Sequence, residues 1–134
     1  MRAYIPTLLL TMLATTAAGA ADPEVVVITN LAAPALTKEQ VADLFLGKTQ
    51  SMKPLDQPNA AAVKTAFYRK VSGRDLSQVK AAWARLIFTG RGAPPRELAD
   101  AAAVKKAIAA DPKAIGYVEK SEVDASVKVV LDLK

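Results

Sequence analysis

The run from Lys53 to Lys70, KPLDQPNAAAVKTAFYRK, brings an extended segment into a proline-bounded turn and then opens a helix, a junction at which a small anion could bind. Lys53, Pro54 and Leu55 read as extended and Asp56 to Pro58 as a turn. Asn59 then reads as the N-cap of a helix through Ala60, Val63, Phe67 and Val71. A helix start presents unpaired N–H groups and the positive end of the helix dipole, so a strand-to-helix turn can hold an anion. Most such turns in α/β proteins hold only water.

Two other places could touch a ligand. Thr89-Gly90-Arg91-Gly92-Ala93-Pro94-Pro95 is a loop in which Gly-Arg-Gly forms either a backbone anion nest or simply a tight connection. Trp83, the only tryptophan, lies on an apolar helical stripe, where a core role competes with ligand stacking. The chain has no histidine and no cysteine. That removes His-based triads, His general bases, thiol chemistry and most metal sites, and no cluster of carboxylates replaces them. Neither a nucleophile–base pair nor a metal cluster is offered by the sequence, so an enzyme is the weakest expectation.

The elements that must position these residues are legible in outline. Of 134 residues, 51% are hydrophobic and 23% charged, the profile of one globular domain. Residues 1–20 read as a secretory signal peptide: Arg2 is the charged start, Ile5 to Leu13 the apolar segment, and Ala18-Gly19-Ala20 the cleavage site. Residues 21–134 are then the mature domain, exported to the periplasm and standing without disulfides. The formal charge of +5 is spread among acids along the helices rather than gathered in a block, which argues against a nucleic-acid partner.

Val25 to Ile28 is a β-branched run suited to a central, parallel strand buried on both faces. Thr37 with Gln40 forms a capping box for a helix from Lys38 to Leu46, stopped by Gly47. Asp75 with Gln78 caps a second, whose apolar stripe is Leu76, Val79, Trp83, Leu86 and Ile87. Phe45, Phe67, Trp83, Leu86, Ile87 and Ile115 are expected to share one core. Asp100 caps an alanine-rich helix that ends at Asp111-Pro112. Ala114 to Val118 reads as a short strand in which Gly116 admits a neighbouring backbone, and Val127 to Leu133 as the last strand. Strands and helices interleave, so the expected architecture is α/β, a small sheet covered by helices.

Four stretches in this order carry a family resemblance: Leu36-Thr37 with Val41-Ala42-Asp43-Leu44-Phe45-Leu46-Gly47-Lys48; Asp56 with Phe67-Tyr68-Arg69-Lys70-Val71; Phe88-Thr89-Gly90-Arg91-Gly92; and Ala114-Ile115-Gly116-Tyr117-Val118-Glu119. Together they resemble the phosphate ABC-transporter substrate-binding proteins, in particular their short, single-domain periplasmic relatives. The resemblance implies a single lobe of a type 2 periplasmic-binding-protein-like fold with a small mixed sheet, similar to the later of the two lobes that close on phosphate. In that family an Arg-x-Asp-Gly-Ser-Gly-Thr turn holds the oxyanion. Asp56 matches its aspartate, whereas Pro54, Pro58 and Ala60 stand where the arginine, serine and threonine would be.

The ligand-binding set implied is Asp56, Gln57, Asn59 and Ala60 with Thr29 and Arg91, without cofactor, metal or catalysis. The implied partners are a small oxyanion such as phosphate and either an ABC permease or a second protein, including a second copy of the chain, that covers the open face. Two functions stay open. One is an exported solute-binding module that holds an oxyanion weakly. The other is an envelope structural or interaction protein that keeps the lobe and has lost the ligand.

Overall fold

The computed structural model describes residues 23–134, and the expected signal peptide lies outside them. The chain folds in the order β1 (Val25–Thr29), α1 (Lys38–Phe45), β2 (Lys53–Asp56), α2 (Ala62–Ser72), α3 (Leu76–Phe88), β3 (Arg96–Glu97), α4 (Ala101–Ala110), β4 (Ala114–Glu119) and β5 (Lys128–Leu133), with a short 3-10 turn at Lys120–Glu122. The five strands form one mixed sheet in the order β3-β2-β4-β1-β5. β2 runs parallel to both β3 and β4, and β1 antiparallel to both β4 and β5.

β1 is thus internal and wholly buried, as its composition implies, but it is antiparallel rather than parallel. The continuous β-branched run reports burial on both faces. Here helices cover both faces of the sheet, so the burial holds whichever way the neighbouring strands run. Val25 and Val27 of β1, Ile115 and Tyr117 of β4 and Leu133 of β5 pack under α1, α2 and α3. Val26, Ile28, Ala114, Val118 and Leu55 face α4 through Val104 and Ile108. Gly116 belongs to that second face. A Cβ there would lie 2.6 Å from Val104 Cγ1 and 3.1 Å from Ile108 Cδ1, so what the glycine admits is the side-chain ridge of α4 and not a neighbouring backbone.

The capping predictions for α1 and α3 hold in full. Thr37 and Asp75 accept from the backbone N–H groups of Gln40 and Gln78, whose side chains accept in return from the cap N–H groups. Gly47 follows α1 with φ 77°, and Gly73 ends α2 with φ 70°, left-handed conformations that glycine adopts at little cost. α2 begins later than the sequence suggests. The Ala61 N–H donates to the Pro58 carbonyl at 2.9 Å, so Asn59 and Ala60 occupy the corner of an extra turn, and the N-cap is Ala61 without a side-chain bond. The two-residue strand β3 was not visible in the sequence.

The core of the larger face is aromatic. The Phe67 ring stacks on Tyr117 with centroids 4.0 Å apart and planes 6° from parallel, and Phe45 meets Phe67 edge-on at 4.7 Å. Trp83 closes this core from α3, donating its indole N–H to the Phe45 carbonyl at 2.9 Å and so tying α3 to the end of α1. Phe45, Phe67, Trp83 and Ile115 share this core as expected, and Leu86 packs on its margin. Ile87 does not, being 51% exposed, because the inward stripe of α3 is narrower than its sequence pattern. Trp83→Ala is expected to cost about 3–5 kcal/mol, through lost burial and an orphaned carbonyl, measured as a lower urea midpoint at unchanged slope. A variant that melts within a degree or two of the parent would disprove this placement of α3.

β5 forms one edge of the sheet, and its register against β1 shifts by one residue. Val27 faces Leu131 and Ile28 faces Val129, leaving Val130 as an inserted bulge.

Candidate functional site

Asp56 ends β2 with its side chain on the face opposite to that of Leu55, under α2. It is 6% exposed. Its Oδ1 accepts from the Gln57 backbone N–H at 2.9 Å and from the Tyr117 hydroxyl, and its Oδ2 accepts from the Tyr68 hydroxyl at 2.6 Å. The Lys64 ammonium lies 3.7 Å from Oδ2 and 4.0 Å from Glu97. A carboxylate has about four lone-pair directions, so three hydrogen bonds and an ion pair leave none free. The ion pair is itself buried, and the hydroxyl donors are what make such burial tolerable.

This arrangement fixes protonation. Burial first, and then the Asp56 charge, push the Tyr68 and Tyr117 phenols well above the ordinary tyrosine value, so both remain donors. The amide of Gln57 turns inward as well, its Nε2 donating to the Tyr117 carbonyl at 2.8 Å, which fastens the turn to β4.

Above the cluster lies a cavity of about 330 Å3, lined by Asp56, Asn59, Lys64, Tyr68 and Lys80, with Glu97 at its edge and Leu76, Val79 and Trp83 supplying apolar wall. Lys80 has no ion-pair partner among the described residues, so its ammonium is free to meet a ligand. The start of α2, uncapped by any side chain, adjoins Asn59 and Ala60 at the exposed corner of the turn.

The sequence-proposed residues are therefore only partly brought together. Asp56 and Asn59 line the cavity, Gln57 is buried beneath it, and Ala60 is exposed beside it. Thr29 and Arg91 are not among the residues lining it. Thr29 is fully buried in β1, where its hydroxyl finds no partner among the described residues. Arg91 sits in the exposed α3–β3 loop, with its carbonyl accepting from Gln50 Nε2 at 3.0 Å. Sequence reasoning missed Tyr68, Tyr117, Lys64 and Lys80. A clue existed for the tyrosines, because each sits in an apolar stretch where a buried phenol requires an acceptor.

No family model matches the chain, and no curated protein matches it. Solved structures do. An ABC-type phosphate transport receptor from Vibrio cholerae superposes with a TM-score of 0.63 at 18% identity over 81% of this chain. A Clostridium perfringens chain described as a phosphate ABC transporter substrate-binding protein, with phosphate bound, superposes with a TM-score of 0.65 at 20% identity, also over 81%. The matches span 45% and 44% of those two proteins, so this chain covers less than half of either. The fold is that of a single lobe of a periplasmic-binding-protein-like receptor. Among the described residues no helix is long and apolar enough to cross a membrane.

Proposed function

We propose that the chain is an exported, non-catalytic solute-binding module related in fold to the phosphate receptors, and that it holds a small oxyanion such as phosphate weakly at the Asp56 to Ala62 face. The observation that carries this reading is the cavity at the β2–α2 junction, lined by Asn59, which lies just before the uncapped start of α2, and by Lys80, which has no ion-pair partner among the described residues. Asp56 cannot serve as the proton acceptor for the ligand, because its oxygens are already occupied. Attraction then comes from helix N–H groups and one partly solvated charge, each contributing about 0.3–1 kcal/mol. A dissociation constant of about tens of millimolar or weaker follows. Tighter binding would require a second wall, from a partner protein or a second copy of the chain.

Calorimetry with inorganic phosphate at low and high salt tests this. The expected result is weak binding that fades as salt rises and falls severalfold in Lys80→Ala. Micromolar binding indifferent to salt and to that substitution would refute it. Export is checked by the N-terminus of the periplasmic protein, expected near Ala21.

The saturation of Asp56 also favours the second reading, an envelope interaction protein in which the ligand carboxylate has become a strut of the core. Absence of phosphate binding in the same titration, with the fold intact, would select it.

A further inference from the structure

The sheet is left open beside β2, and the sequence explains why. β3 pairs with β2 only at Leu55 with Arg96 and Asp56 with Glu97. Continued in the same parallel register, the ladder would set Pro95 beside Pro54 and Pro94 beside Lys53, and proline has no N–H to offer it. The ladder stops there, and a gap remains between the α3 side and the α4 side of the molecule. This gap is a cavity of about 620 Å3, within the roughly 300–1,000 Å3 typical of small-molecule sites. Leu44, Met52, Leu55 and Trp83 give it an apolar wall, and Ala107 and Ala110 keep its α4 side low.

The charges at its rim do not cancel. Lys53 and Asp111 neutralise each other at 3.2 Å, whereas Arg96 has no acidic partner among the described residues. A guanidinium is a planar fork that binds carboxylate or phosphate with two parallel hydrogen bonds. We propose that this cavity binds a small amphipathic organic anion, with its carboxylate or phosphate head on Arg96 and its hydrocarbon body against Leu44, Leu55 and Trp83. The site is distinct from that at the β2–α2 turn. Successive residues of a strand point to opposite faces, so Arg96 serves this cavity and Glu97 the other, with Trp83, Pro94 and Pro95 as the shared wall.

Because Trp83 is the only tryptophan, its fluorescence reports occupancy. The probes are octanoate and octyl phosphate, with octanol and inorganic phosphate as the body without the head and the head without the body. At least one alkyl anion is expected to shift the Trp83 emission saturably, and the one that binds identifies the head group. Arg96→Gln should weaken binding about tenfold, the loss of one charge-assisted contact. Ala110→Phe, at an exposed position, should block the cavity, and Lys80→Ala should leave binding unchanged. Both cavity variants should melt as the parent does. Failure of both alkyl anions to bind would overturn the proposal. So would binding that ignores Arg96→Gln and Ala110→Phe, that octanol reproduces, or that Lys80→Ala abolishes.

Discussion

Asp56→Ala is expected to cost about 5 kcal/mol or more and to leave the domain largely unfolded at room temperature. The substitution removes the acceptor for two buried phenols and a backbone N–H, and it strips the buried Lys64 ammonium of its nearer partner. Each orphaned donor costs about 1–3 kcal/mol, and breaking a buried ion pair costs about 3–5 kcal/mol. Partial hydration will lower the sum, but the total stability of a domain this size is only about 5–15 kcal/mol. Asp56→Asn keeps the shape and one acceptor and should fall between the two. Urea unfolding followed by circular dichroism is the measurement. The result also separates the roles of Asp56. A residue that only touched ligand could be removed from the free protein at little cost, so an unchanged midpoint would sink the strut.

A second large effect is expected in alkali. The folded-state values of Tyr68 and Tyr117 are raised, so the stability they contribute is fully present below the unfolded tyrosine value of about 10 and is lost as the pH rises above it. In that window each tyrosine that can ionise only in the unfolded chain removes about 1.4 kcal/mol per pH unit, and two remove nearly 3 kcal/mol. Two to four units above that value would exhaust a typical domain. Phenolate absorbance should therefore rise together with the loss of circular dichroism and not before it. Independent titration of both tyrosines near pH 10 in the folded protein would show that the Asp56 cluster is open to water.

These effects depend on contacts between residues far apart in the chain, which is where sequence reading is weakest. Thr37 with Gln40 and Asp75 with Gln78 were legible because a cap and its N3 partner are local and their chemistry is specific. The burial of β1 was legible from Val25 to Ile28, but its direction was not, since direction depends on which strands arrive beside it. Asn59 looked like a cap by type. The turn closed by Ala61 and Pro58 displaced it, because the path of the chain out of β2 decided where α2 could begin. Asp56 drew attention through the resemblance to receptors that hold phosphate. Its partners could not be found that way, as Tyr68 and Tyr117 come from α2 and β4, and their convergence exists only once those elements are packed. β3 escaped notice because two residues after two prolines carry no periodicity.

The bulge at Val130 bears on how the molecule behaves in company. An edge strand of six residues with a regular ladder would offer any other extended chain a template of free N–H and C=O groups. One inserted residue puts that template out of step, so an arriving strand can match the groups before Val130 or those after it, but not both. Lys128 at one end of β5, its ammonium donating to the Ala33 carbonyl, and Asp132 near the other, paired with Lys120, add charged groups that such a strand would have to cover. At the high concentrations of a crowded compartment, the sheet is thereby protected against growing by strand addition into an aggregate.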